Sequence, residues 1–210
     1  MRRTLICLAG LAALGLQGAA HADVAVKTKA PVPAAGGAMQ VAPDVDKRVA
    51  QFAPTPLTAD LSALTADDRQ VLAKLVEASK LMNEIFLRQS WAGNPALREK
   101  LKTARGPHMA AGREYFRINF GPWDRLAERQ PFLGDKKRPA GAGYYPEDLT
   151  KEAFEGWIAK HPGDKEAFTS TVTVIHRGAD GALVAVPYSK EYAEWLKPAA
   201  KLLRDGAALT

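Results

Sequence analysis

Three histidines in the second half of the chain are the first candidates for chemistry: His108, His161 and His176. A helix-borne zinc site needs paired histidines one turn apart, with a glutamate between them to activate the metal-bound water. None of the three has a second His or a Glu at i+4, so the spacing excludes that arrangement. A metal could still be held if the trio met in space. Their settings favour separate structural roles. His108 follows Gly106-Pro107 near a helix start, His161 sits at a helix end before Pro162, and His176 closes a strand. A histidine at a helix C-terminus is favoured by the helix dipole alone.

The other reactive types give no converging set. Cys7 is the sole cysteine and lies in an N-terminal leader, so no thiol nucleophile or disulfide is expected in a processed chain. Ser62, Ser79, Ser90, Ser170 and Ser189 lack the strand-turn-helix context of an activated serine. Ser189 reads as a helix cap. Gly141-Ala142-Gly143 lacks the flanking strand and helix of a phosphate cradle. The carboxylate pairs Asp67-Asp68 and Glu147-Asp148 fall near helix starts, where negative charge is favoured without catalysis. Trp91, Trp123, Tyr144, Tyr145 and Trp157 read as loop anchors on a core rather than a ligand groove. Lys136-Lys137-Arg138 reads as a solvated loop tip. No catalytic, cofactor-binding or metal-ligating residue is therefore assigned.

The elements that must carry these residues are mostly helical. Thr65 precedes Ala66-Asp67-Asp68, a hydroxyl cap with acidic residues in the first turn. Val71, Leu72, Leu75, Val76, Leu81, Met82, Ile85 and Phe86 then recur at three- and four-residue spacing, which predicts one long helix to about Trp91. Gly93 and Pro95 stop it. Short helices follow over 95–103 and 109–119. From Gly121 to Pro146 the period disappears, which predicts a wrapping or binding loop. Thr150 caps a helix to about Lys160, and Thr171–Ile175 with Leu183–Val186 form a hairpin around Asp180-Gly181. A last helix follows Ser189, lined by Tyr192, Leu196, Ala199, Leu202 and Leu203.

The N-terminus reads as an export signal over residues 1–22: Arg2-Arg3, an apolar run from Leu5 to Leu16, and Ala20-His21-Ala22 before Asp23. That run is too short for a bilayer span, which takes roughly 20 residues. Cleavage near Ala22 would deliver a periplasmic or secreted chain, and residues 23–50, rich in Ala, Pro, Val and Gly, read as a flexible linker. The chain has 29 basic and 23 acidic residues, a net charge of +6. The excess is dispersed, which argues against nucleic-acid binding, and no stable membrane insertion is expected.

Several separated blocks carry a family likeness. They are Phe52-Ala-Pro-Thr-Pro-Leu57, Leu87-Arg-Gln-Ser-Trp-Ala-Gly-Asn-Pro95, Tyr144-Tyr-Pro-Glu-Asp-Leu-Thr-Lys-Glu152, Thr173-Val-Ile-His-Arg-Gly178 and Leu183-Val-Ala-Val-Pro-Tyr-Ser189. In order and spacing they resemble the N-terminal region of exported bacterial zinc peptidases of the dipeptidyl peptidase III type. The resemblance implies a mainly α fold with a small antiparallel β-hairpin over 51–210, a partial lobe of a larger two-lobed metallopeptidase. It also implies zinc in the full-length relative, bound by residues that have no match in this chain. The remaining C-terminal part, on the same or a separate chain, is then the expected partner, and peptide the substrate of the full-length form alone. The alternative is a stand-alone periplasmic helical binding module, with the 121–146 loop as its ligand surface.

Overall fold

The computed structural model describes residues 39–210, and ordered packing begins earlier than the composition suggests. Val41 bridges Leu133, the Ala42 amide donates to the Phe132 carbonyl at 2.9 Å, and helix α1 spans Val45–Val49. Val45 is fully buried among Leu87, Leu101, Met109, Tyr115, Phe116 and Phe132. The expected linker over 23–50 is therefore corrected for residues 39–50. Val41, Val45 and Val49 recur at every fourth position, and that one-face pattern is diluted by the Ala/Pro/Gly composition before it. The expected signal peptide 1–22, Cys7, and the linker to residue 38 lie outside the described residues.

Helix α2, Ala66–Ser90, starts on a reciprocal cap. The Asp68 amide donates to the Thr65 hydroxyl at 3.1 Å, and the Thr65 amide donates to the Asp68 carboxylate at 2.9 Å. Two donors that the helix start would leave unpaired are satisfied at once. Helices α3 (Asn94–Thr103) and α4 (Met109–Asn119) follow, close to the expected bounds. The 121–146 segment is less irregular than its sequence indicates. Strands β1 (Trp123–Asp124) and β2 (Gln130–Pro131) pair antiparallel within it.

Thr150 caps α5 (Lys151–Lys160), its hydroxyl accepting the Ala153 amide at 3.1 Å. A 3-10 turn at Pro162–Asp164 and helix α6 (Lys165–Thr169) lead to β3 (Thr173–Arg177), which pairs antiparallel with β4 (Leu183–Pro187). Alternation along β3 serves two cores. Val174 packs with Ile85 and Tyr192, while Ile175 packs with Phe168 and Leu183 under α5. Helix α7 covers Tyr188–Glu191 and α8 Ala193–Ala207. Ser189 lies inside α7 and caps nothing, because Pro187 already fixes the helix start. Trp195 of α8 lies under Arg88, and Gly206 meets Val71 and Lys74, so α8 runs antiparallel along α2. The fold is mainly helical with two two-stranded antiparallel sheets. No described helix is long and apolar enough to cross a membrane.

Candidate functional site

A concavity of about 430 Å³ opens where α2, α3 and α4 converge. Leu87, Leu101, Phe116 and Phe120 form its apolar floor; Glu84, Arg98, Lys102, Arg113 and Arg117 ring it. Arg98 grips Glu84 through both guanidinium nitrogens at 2.5 and 2.8 Å, and Arg88 reaches the same carboxylate at 3.1 Å. Hydrogen bonding from Arg98, reinforced by Arg88, holds the Glu84 carboxyl at about 2. A general base works best with its pKa near the operating pH, so Glu84 is a poor proton carrier at neutrality and a good tether. The other cations are also engaged. Lys102 pairs with Glu99, Arg117 with Glu114, and Arg113 donates to the Ala104 carbonyl at 3.2 Å. Below the cleft Asn94, fully buried, donates to the Leu87 and Phe120 carbonyls at 2.9 Å each and fastens the ends of α2 and α4.

The 121–146 segment is pinned from inside. Trp91 and Trp123, both buried, meet edge to face at 5.2 Å. Trp91 Nε1 donates to Glu147 at 2.5 Å, Lys136 Nζ donates to the same carboxylate at 2.5 Å, and Trp123 Nε1 donates to the Lys136 carbonyl at 2.7 Å. The Gly143 amide donates to the Gln89 carbonyl at 2.9 Å. A Cβ at Gly143 would come within 1.9 Å of the Arg88 carbonyl oxygen. Gly143 marks a backbone crossing over the end of α2 and Gly141 abuts the Tyr145 side chain, which is close packing and not a ligand cradle.

The sequence candidates stay apart. His108 pairs with Asp46 of α1, His161 stacks on Trp157 with centroids 4.1 Å apart, and His176 contacts Glu191 at 2.9 Å. Each histidine is taken by a different element. Among the described residues no group of three His, Cys, Asp or Glu side chains is placed to hold a metal. Asp68 is spent on the helix cap, and Asp148 is held below the usual carboxylate range by the Arg177 guanidinium. Of the basic trio at 136–138, Lys136 and Lys137 are exposed as expected, with Lys136 also paired to Glu147, whereas Arg138 is half-buried. The Glu84–Arg98 tether escaped the sequence reading. Its local signal is the Glu84–Arg88 pair at i,i+4, whereas Arg98 arrives through the turn at Gly93.

No protein-family model matches the chain. The structure of dipeptidyl peptidase III from Caldithrix abyssi superposes with a TM-score of 0.76 at 45% identity, over 79% of this chain and 31% of that one. The dipeptidyl-peptidase III from Corallococcus sp. strain EGB gives 0.76 at 38% identity, over 82% and 32%. The fold matches a partial lobe of dipeptidyl peptidase III. Nudix hydrolase 3 of Arabidopsis thaliana is 29% identical over 220 residues, 79% of this chain and 28% of that protein. The chain thus spans under a third of the length of each relative. The blocks that carry the dipeptidyl peptidase III likeness are joints of this fold: the α2–α3 turn with Trp91 and Asn94, the Tyr144–Glu152 approach to α5, and both strands of the β3–β4 hairpin.

Proposed function

We propose that the chain is the N-terminal, scaffolding part of an exported zinc peptidase of the dipeptidyl peptidase III type, with catalysis supplied by the remaining part. The observation that carries this is the asymmetry of coverage: 79% of this chain aligns at 45% identity with only 31% of the Caldithrix abyssi chain. The interior agrees. Ionisable side chains of the concave site are engaged in ion pairs or, for Arg113, in a hydrogen bond to backbone carbonyl, and Trp123 of the 121–146 segment faces the core against Trp91. That inward placement removes the main support for a stand-alone binding module.

Reconstitution tests the reading. The purified chain is assayed for dipeptide release from a peptide, with zinc, alone and mixed with the Caldithrix abyssi sequence beyond the matched region. Activity only in the mixture is expected. Dipeptide release by the chain alone would overturn the scaffold assignment, and failure of the two parts to associate would overturn the peptidase assignment. Export is checked by the mass of the chain recovered from the periplasm, which should begin at Asp23; a full-length mass in the cytoplasm would contradict it.

A further inference from the structure

An uncovered face of α2 runs directly into a cluster of unpaired arginines. Leu75, Met82 and Phe86 are each 39–47% exposed, on the flank of α2 beside the one that α8 covers. From Leu75 to Phe86 the stripe extends roughly 16 Å, three turns of helix. Phe86 packs edge to face on Phe120 at 4.9 Å and carries the Arg125 guanidinium above its ring at 5.7 Å.

Arg125 belongs to a built platform, the tip of the β1–β2 hairpin. Asp124, buried at its base, accepts the Leu126 and Ala127 amides at 2.8 and 3.2 Å and is itself held by Arg48 at 3.1 Å. Asn119 accepts the Arg125 amide at 3.0 Å, and the Arg129 amide donates to the Asp124 carbonyl at 2.8 Å. The tip closes through Glu128 and Arg129, both with positive φ. Arg125 and Arg129 therefore flank one rigid turn, with Leu126 exposed between them. Arg138, half-buried further along the same segment, has its guanidinium pulled below the usual range by burial and then by Arg129 and Arg125. Among the described residues none of these three arginines makes an ion pair, and neither does the tip's carboxylate, Glu128. Five of the other nine described arginines have an acidic partner: Arg48, Arg88, Arg98, Arg117 and Arg177.

We infer that this surface, the α2 stripe ending on Arg125 and Arg129, docks an amphipathic helix of the remaining part of the peptidase whose acidic end lies against the hairpin tip. The inference rests on the peptidase reading above. Three turns of apolar surface suit helix-on-helix packing, and guanidinium groups pair bidentately with carboxylates. The coverage of the relatives supplies the occupant: they carry more than two thirds of their length beyond what this chain matches.

The test measures the Kd between the full chain and the remaining Caldithrix abyssi part across a salt series. Arg125→Glu/Arg129→Glu, at two exposed positions, should weaken binding about tenfold or more and flatten its salt dependence. Lys137→Glu, an exposed neighbour outside the tip, should leave Kd within about twofold. A complex with Kd unchanged in the double variant overturns this surface and leaves the peptidase reading standing. Absence of any complex with the unaltered chain overturns both. Co-sedimentation with phosphatidylglycerol vesicles that the double variant loses, with Kd unaffected, would assign the surface to a membrane and overturn the proposal.

Discussion

Glu84 takes two guanidinium groups from different directions, one from its own helix and one from α3. Its carboxyl is held at about 2, well below the ordinary value, chiefly by hydrogen bonding from Arg98. A folded-state pKa below the unfolded one stabilises the protein at pH values above the unfolded pKa. That contribution is lost as pH falls through the folded pKa, here between about pH 5 and 2. Arg98 is partly exposed, so solvent screening reduces the effect. Glu84→Gln should cost about 1–2 kcal/mol at pH 7 and about half as much or less at pH 3. Urea unfolding at both pH values measures the difference. An equal cost at both would mean that the ion pairs around Glu84 add nothing beyond packing. Asp148, Asp44 and Asp205 are shifted the same way by Arg177, Arg48 and Lys201, so some acid sensitivity remains in the variant.

The elements depend on a few backbone crossings as much as on their own periodicity. Gly143 is the clearest, since its Cα passes over the Arg88 and Gln89 carbonyls at the end of α2. A methyl there would force backbone against backbone, so Gly143→Ala should cost at least about 2 kcal/mol. Gly163→Ala, with nothing within 4 Å, should be near neutral. Thermal unfolding of both separates a crossing from a general glycine effect; equal melting temperatures would contradict the close approach. The same distinction explains what the sequence disclosed. Helices α2 to α5 and the β3–β4 hairpin were legible because their apolar spacing and caps are local. Strands β1 and β2 hold two residues each and exist because Asp124 accepts the turn amides, which no periodicity records. Helix α1 was hidden in a low-complexity composition. The α2–α3–α4 cleft was illegible because Glu84 and Arg98 meet only after the chain turns at Gly93, and the arginines at the hairpin tip because their proximity depends on that turn.

At the scale of the molecule, one flank of α2 is sealed by α8 and the next is open, which gives the isolated chain a preference about association. Two copies could bury their stripes against each other, but each would bring Arg125 and Arg129 toward those of the other. Like charges oppose that pairing, and the Debye length falls from about 10 Å at 0.1 M salt to about 3 Å at 1 M. Self-association should therefore strengthen with salt, whereas binding to an acidic helix should weaken. Leu75→Glu/Met82→Glu replaces exposed positions within α2, so its effect on stability should stay within about 0.5 kcal/mol per site. It should also abolish the salt-induced association and lower the binding of a hydrophobic dye. Sedimentation velocity at 0.1 and 1 M NaCl reads the first effect and dye fluorescence the second. Association that ignores both salt and the double substitution would place the sticky surface elsewhere, and the α2 stripe would then be ordinary exposed apolar area. Opposite salt signs for self-association and for partner binding, both removed at the same positions, would mark the stripe as a surface shaped for another segment rather than for a second copy.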